Sequence, residues 1–513
     1  MLDATPLLRA YTRRRAAVLA AQHPVETQRA VLRRLVRRAR NTRFGQDHGF
    51  DRIRDISDFQ RQVPLRRYED FWRDYWQPSF PRLTGICWPG TIPYFALTSG
   101  TTSGKTKYIP VSAEMNASNR GAVLDLFTWH MQARADSRLL GGRNFMLGGS
   151  TELNELAPSI WAGDLSGIAA RETPLWARPW SFPPPKLALL SDWEEKIDRL
   201  ARLSLAADIR SLSGTPSWVL LFLDRLAALR SDQPARIESW YPRLELFIHG
   251  GVDFAPYRRR FETIFAGSRA EMREVYPASE GFIAIADRSY GEGLRMILDR
   301  GLFYEFVPLE EIDAPAPTRH WLATAGPGLN YALVLSSNAG LFAYVLGDTV
   351  RLVSLEPPRL LVTGRLSHTL SAFGEHLIGE EIEQAVAHAA AEIGASVTDY
   401  MVGPVFPDAA NQRGGHRYVI ECAVPPSAQA LARLAAALDA NLSQQNADYR
   451  DHRAGGFGMK LPEVMIAPPG SFAQWMRARG AMGGQHKVPR VSADGALLRE
   501  VEAFLKQAQP RGD

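Results

Sequence analysis

Cysteine is scarce: only Cys87 and Cys422 occur in 513 residues, and they lie far apart. That count excludes a disulfide framework and a cysteine-ligated metal centre, and it suits the reducing cytoplasm. Long apolar runs are missing too, so the sequence offers no helical segment able to span a bilayer. Charge of one sign is in short supply. The 60 Lys and Arg stand against 55 Asp and Glu, and a net charge of +5 is too small at this length to argue for a nucleic-acid partner. No internal repeat and no low-complexity tail is found, which argues against a repeat array.

What is there has the composition of a soluble globular chain, 45 % apolar and 22 % charged. Its length exceeds what one hydrophobic core serves, so two or more domains are expected. The charge is uneven, with eleven Arg and three acidic residues in positions 1–50. Asp3 and Glu26 interrupt that run and no cleavage-like site follows it. Leu32, Leu35, Val36 and Ala39 fall on one helical face, so the stretch reads as structural helix with a solvated arginine face rather than a presequence.

Further along, the chain alternates. Met115–Arg134 is helical and Phe145–Gly149 strand-like. Trp193–Ala206 is an amphipathic helix, and Ile209–Leu212 a short strand. Gly214-Thr215-Pro216 reads as an N-cap with Pro in the first turn of a helix reaching Leu229. Leu244–Ile248 is a buried-type strand ending at His249-Gly250-Gly251, followed by helix Tyr257–Phe265 and strand Ala270–Tyr276. Strands alternating with helices predict an α/β core. From Gly281 to Leu361 short strands and turns predominate, which predicts a β-rich subdomain. Beyond Leu366 the composition shifts to a small α+β domain, with helices over Gly379–Ile393 and Ser427–Gln445 and strands over Val397–Val405 and Tyr418–Val424.

The chemistry concentrates in Tyr94–Pro110, YFALTSGTTSGKTKYIP. An apolar, β-prone run gives way to Thr, Ser, Gly and Lys, then returns to Tyr108-Ile109-Pro110, a pattern of strand, loop, strand. Gly100 and Gly104 allow a tight turn that brings N–H groups against an anion. The hydroxyls and Lys105 and Lys107 add donors and positive charge. A Walker A loop does not fit. It needs four residues between its Gly and its Gly-Lys pair, whereas Ser99 stands in the first Gly position and no helix start follows. A flexible surface hairpin stays open on this loop alone.

Two other stretches carry carboxylates at strand ends. Tyr276-Pro277-Ala278-Ser279-Glu280 places Glu280 in a turn, where it can reach a metal or a phosphate-bound magnesium or merely cap the turn. Tyr344-Val345-Leu346-Gly347-Asp348 closes a β-type stretch, and its Asp could accept bonds from two ribose hydroxyls. Gly364-Arg365 follows the strand Leu360–Val362.

In this order the pieces resemble the acyl acid–amido synthetases of the auxin-responsive (Gretchen Hagen three) family, a branch of the adenylate-forming superfamily. The resemblance covers nearly the whole chain. Residues 42–70 are similar to the family's N-terminal region. Thr98, Ser99, Gly100, Thr101, Thr102, Gly104 and Lys107 match its first nucleotide motif, Tyr276–Glu280 the second and Tyr344–Asp348 the third. Tyr449-Arg450 and Gly484–Arg490 resemble its terminal motif. Two positions depart from the pattern: Val345 where the family has Arg, and His486 where it has Tyr.

The resemblance implies an adenylate-forming fold. A large α/β domain with a β-rich subdomain, residues 1–366, would bind nucleotide and acyl group, and a small mobile α+β lid domain, 367–513, would carry a catalytic Lys487. It implies ATP-dependent adenylation of a carboxylic acid with Mg²⁺, then transfer of the acyl group to an amine, typically of an amino acid. The loop Thr98–Gly104 would cradle the phosphates and Glu280 hold the metal. Gly250 and Gly251 would let the backbone approach the adenine, beside Tyr276, Ala278 and Ser279. Asp348 would take the ribose hydroxyls, Arg365 ribose or phosphate, and Lys487 the α-phosphate. The acyl pocket is placed only regionally, near Gly148–Trp161 and Ser213–Trp218. Trp161, Trp176, Trp180 and Trp218 are candidates there, although aromatic residues more often belong to the core. Two rival readings remain. A thioester-forming ligase is disfavoured by the terminal motif, and a non-catalytic nucleotide binder by the presence of Glu280, Asp348 and Lys487. The expected partners are a small carboxylic acid and an amine, with neither nucleic acid nor membrane.

Overall fold

A computed structural model of the chain describes residues 2–98, 106–148, 153–184, 187, 193–252, 254–366, 369–375, 377–407, 413–454, 458–479 and 488–508. The chain divides into two compact units, with the principal boundary after Leu366.

The first unit is built on one eleven-stranded sheet. In spatial order its strands are Leu302–Pro308, Asn330–Ser337, Tyr344–Leu355, Pro358–Arg365, Leu294–Met296, Gly281–Ile285, Glu271–Ala278, Leu246–Gly250, Ile209–Gly214, Arg143–Met146 and Ser181–Phe182. From Ser181–Phe182 to Glu271–Ala278 neighbouring strands run parallel. Parallel strands need crossovers, and helices Pro216–Leu229 and Ala255–Phe265 supply two of them. At Ala278–Gly281 the chain turns back on itself, and every later pair in the sheet is antiparallel. The β-rich stretch is therefore present, but its strands extend the α/β sheet instead of forming a sheet of their own.

A second, four-stranded sheet runs in the order Lys107–Val111, Tyr94–Thr98, Ile160–Gly163, Leu153–Ala157. The strand–loop–strand reading holds here, since Tyr94–Thr98 pairs antiparallel with Lys107–Val111 and Thr98 faces Lys107. Helix Ala113–Ala133 begins only afterwards, where the Ser112 hydroxyl accepts the Met115 N–H.

The arginine-rich start forms helices Thr5–Ala20 and Pro24–Ala39. The second buries Leu32, Leu35, Val36 and Ala39 as the periodicity predicts, and Val31 beside them. It also buries Gln28, whose amide donates to the Leu298 and Leu302 carbonyls and accepts the Tyr304 N–H. On the first, the Arg15 guanidinium joins Asp125 and Asp299, each at 2.7 Å.

The second unit carries a three-stranded sheet, Val397–Val405, Gly415–Cys422 and Glu463–Ala467, with helices Gly379–Glu392 and Ala428–Gln445 close to the predicted bounds. Met401, Val419, Trp475, Leu498 and Val501 share its core. The buried Glu375 carboxylate accepts the Ala372 and Phe373 N–H groups and lies 2.8 Å from His416 Nε2. Both cysteines are buried and unbonded. Among the described residues no helix is long and apolar enough to cross a membrane.

Beneath the parallel strands lies an ionic cluster that sequence periodicity does not reveal. His130, fully buried on helix Ala113–Ala133, has Nδ1 2.9 Å from Glu271 and Nε2 3.6 Å from Glu245. Arg210 and Arg273 close the cluster on those carboxylates. Burial by itself lowers an imidazole pKa, but the two carboxylates outweigh it and hold the His130 value above the ordinary one. A raised folded-state pKa stabilises below the unfolded value near 6.5, and the contribution fades as pH rises through the folded value. We therefore expect His130→Gln to cost roughly 3 kcal/mol at pH 6, the scale of breaking a buried ion pair. That cost should shrink by pH 9, as read from urea unfolding midpoints of variant and wild type. A pH-independent difference would rule out a charged His130.

Candidate active site

The hairpin Glu271–Ala278 and Gly281–Ile285 turns through two residues, Ser279 and Glu280, because Ala278 and Gly281 are already paired. Gly281 has φ +151°, a backbone conformation that side chains disfavour, and a Cβ there would lie 2.8 Å from the Leu302 side chain, so glycine lets the turn pack against Leu302. This compression carries Glu280 inward, to 7 % exposure.

The buried Tyr344 hydroxyl stabilises the charged form of the Glu280 carboxylate. Burial pushes the Glu280 pKa up to about 7, and the charge of Asp348 works in the same direction. A backbone N–H, the Tyr344 hydroxyl and the Lys107 ammonium pull it back. Asp348 stands on the next hairpin, as the cross-strand partner of Arg365. It accepts the Tyr276 hydroxyl at 2.5 Å, and Arg365 Nε lies 3.2 Å from its other oxygen. Burial and the adjoining carboxylate keep the Tyr276 phenol protonated, with its pKa well above the usual value.

Lys107 does not stand alone. Its ammonium lies 3.1 Å from Glu69 and 4.8 Å from the centre of the Tyr68 ring, whose hydroxyl accepts the Tyr108 N–H. Tyr68, Glu69 and Tyr344 are the members that sequence reading left without a role. A buried lysine's need for a counterion was the one available signal for Glu69, and Tyr344 opens the third motif.

Gly250 pairs with Val275, and a Cβ on Gly250 would meet the Val275 carbonyl at 2.2 Å. Its glycine is thus required by the adjacent strand, whatever else approaches it. A Cβ on Gly251 would make only an ordinary contact, 3.7 Å from Thr215 Oγ1, but its φ is +86°, so its requirement is conformational. Between them and Phe247, burial pushes the His249 pKa down to about 3, leaving a neutral imidazole.

Tyr276, Ala278, Ser279, Glu280, Asp348, Arg365, Gly250 and Gly251 therefore converge at the carboxyl ends of the parallel strands, the usual ligand edge of such a sheet. Thr98 ends its strand opposite Lys107. Ser99, Gly100, Thr101, Thr102, Gly104 and Lys487 lie outside the described residues. Of the candidate tryptophans, Trp176 is 69 % exposed and the Trp180 indole donates to the Leu2 carbonyl, so these two do not line a buried pocket. Val345, where Arg was expected, is buried in the core and donates its N–H to the Arg66 carbonyl. The departure is absorbed by the apolar face behind the site. Among the described residues no three His, Cys, Asp or Glu side chains could cage a metal.

Family models match most of the chain. The model of the GH3 family N-terminal domain matches residues 14–152 and 151–270, that of its central domain 295–365, and that of its C-terminal domain 380–496. The chain belongs to the GH3 family. Among curated relatives of this GH3 chain, an indole-3-acetic acid-amido synthetase, GH3.3, of Arabidopsis thaliana is 22 % identical, covering 90 % of this chain and 88 % of its own. A jasmonoyl–L-amino acid synthetase of Nicotiana attenuata is 22 % identical over 63 % of this chain and 66 % of its own. Among solved structures, the GH3.15 acyl acid amido synthetase superposes with a TM-score of 0.58 at 16 % identity, covering 94 % of both chains. A 2-hydroxyisobutyryl-CoA ligase bound to its acyl-AMP and CoA superposes at 0.54 and 14 %, covering 94 % of this chain and 92 % of its own. The GH3 chain thus has the adenylate-forming fold.

Because the Tyr344 hydroxyl favours the charged form of Glu280, its removal should raise that carboxyl's pKa further. Infrared titration of the carboxyl band, assigned by its loss in Glu280→Gln, should find a midpoint near 7 in wild type and a higher one in Tyr344→Phe. An unchanged midpoint would show that the hydroxyl is not the donor.

Proposed function

We propose that this GH3 chain is a cytoplasmic ATP-dependent acyl acid–amido synthetase, a ligase that adenylates a small carboxylic acid and passes the acyl group to an amine, that of an amino acid. The observation that carries the proposal is the union of Glu280 and Asp348. These carboxylates come from separate sequence motifs; the Tyr276 hydroxyl bonds to Asp348 at the ligand edge of the sheet, and the Tyr344 hydroxyl and the Asp348 charge both act on Glu280. The names of the relatives support the same chemistry, and two unbonded cysteines suit a reducing compartment.

In the first half-reaction an oxygen of the acid attacks the α-phosphorus of ATP and pyrophosphate leaves. In the second the amine attacks the acyl carbonyl, AMP leaves and the nitrogen loses a proton. The protein's task in adenylation is to stabilise charge on phosphoryl oxygens with preorganised donors. We assign that task to Thr98, Ser99, Gly100, Thr101, Thr102, Gly104 and Lys107, and to Lys487 from the second unit acting as a lid. Asp348, held by Tyr276 and Arg365, accepts the ribose hydroxyls. Gly250, Gly251, Ala278 and Ser279 face the adenine.

The donor set fits Mg²⁺ brought in on the nucleotide. Glu280, a buried carboxylate with no ion pair among the described residues, suits a cation that keeps most of its ligands from phosphate and water. When bound, the ion neutralises phosphate charge. Glu280 would hold it, and that charge would draw the Glu280 pKa back down.

The deciding experiment incubates the protein with ATP, a panel of carboxylic acids, mixed amino acids and coenzyme A, followed by mass spectrometry. The expected product has the mass of acid plus amine less water and requires ATP. Product formed only with coenzyme A would assign the chain to the thioester-forming ligases instead. Asp348→Ala should weaken ATP and AMP binding by roughly 1–3 kcal/mol, the scale of a lost charge-assisted hydrogen bond. Unchanged affinity by calorimetry would remove Asp348 from the ribose site.

A further inference from the structure

The arginine face of helix Pro24–Ala39 reads from sequence as simply solvated, yet one flank of it borders a cavity of about 310 Å³ closed on its other side by residues 50–56. Arg29, Arg33, Arg37 and Arg40 line it, spaced four, four and three residues apart, which places them along one flank of the helix. Arg54 faces them from the second wall. The cavity also has an apolar part, from Val36, Phe50 and Ile53. None of its lining residues belongs to the site around Glu280 and Asp348.

The charges in this cavity are unbalanced. Arg29 pairs with Glu26 at 2.5 Å. The guanidinium groups of Arg33, Arg37, Arg40 and Arg54 have no ion pair or hydrogen bond among the described residues. The two acidic lining residues do not neutralise them, since Asp55 accepts the Asp58 N–H as a helix cap and Asp51 sits beside Arg52. Like charges one helical turn apart repel, so this ladder is a standing cost that an anion would relieve. Guanidinium groups bind carboxylate and phosphate through paired, planar hydrogen bonds, which suits either head group. The volume lies at the small end of ligand pockets, so the apolar body must be short.

We propose that this cavity is a second ligand site, for a small amphipathic anion. Its carboxylate or phosphate head meets Arg33, Arg37 and Arg40, and its short apolar body covers Val36, Phe50 and Ile53. The site is separate from the nucleotide edge, so its occupant is not the ATP or the AMP of the proposed reaction.

Calorimetric titration of the full chain with octyl phosphate, octanoate and inorganic phosphate tests this. At least one amphiphile should saturate at one per chain, and inorganic phosphate should bind at least tenfold more weakly. The stronger of the two amphiphiles identifies the head group. Arg33→Gln/Arg37→Gln should weaken that binding at least tenfold while melting with the wild type, and Arg33→Lys/Arg37→Lys should keep most of it. The proposal fails if neither amphiphile binds. It fails equally if the glutamine pair leaves binding unchanged, which would place the ligand elsewhere, or if inorganic phosphate binds as tightly as the amphiphiles.

Discussion

Keeping two carboxylates out of water, close enough to feel each other's charge, is the constraint on which the candidate site depends. Burying an ionised carboxylate is costly unless donors and opposite charge replace its hydration. At Asp348 the Tyr276 phenol and the Arg365 guanidinium do so. At Glu280 compensation is incomplete: the Tyr344 hydroxyl and a more distant Lys107 leave the group near the midpoint of its titration at neutral pH. Such unfinished compensation is what a site awaiting a cation on its substrate would show, and it is why Glu280 is the natural metal position in the proposed chemistry.

The sheet makes this arrangement rigid. Had the strands after Gly281 formed a sheet of their own, the second and third motifs would sit on separate bodies, and thermal motion between them would blur their spacing. Instead both hairpins belong to one hydrogen-bonded sheet, so Tyr276 and Asp348, 72 residues apart, are held at a hydrogen-bond distance. The supports lie on both sides. Gly281 admits Leu302 beneath the turn, and Gly250 admits the Val275 carbonyl beside it. Below the parallel strands His130 binds the acidic starts of two of them, so the edge opposite the site is pinned by charge.

The departures from the family pattern are informative in the same terms. Val345 points into apolar core, where a valine is at home, and its neighbours Tyr344 and Asp348 keep their partners across the sheet. Much of this was legible beforehand. The helix ending at Ala39, the Pro-started helix at Pro216 and the strand pair around the Thr98–Lys107 loop follow from periodicity and turn residues. Tyr68, Glu69 and Gln28 were not, because nothing in their local pattern marks a partner that arrives from another strand.

The amino-acid sequence by itself determined the element types, the order of the three nucleotide-type motifs and the change of character after Leu366. These depend on residues near one another in the chain, through side-chain period, capping and the backbone freedom of glycine. The tertiary structure alone decided that the Tyr344 hydroxyl acts on Glu280, that Asp348 meets Tyr276, that Lys107 is paired with Glu69, and that helix Pro24–Ala39 sets arginines without an ion pair among the described residues beside a cavity. Those contacts are set by strand order and register between distant segments, and a one-residue slip in register would turn each side chain to the other face of the sheet. Local sequence does not encode that choice; the packing of the whole unit does.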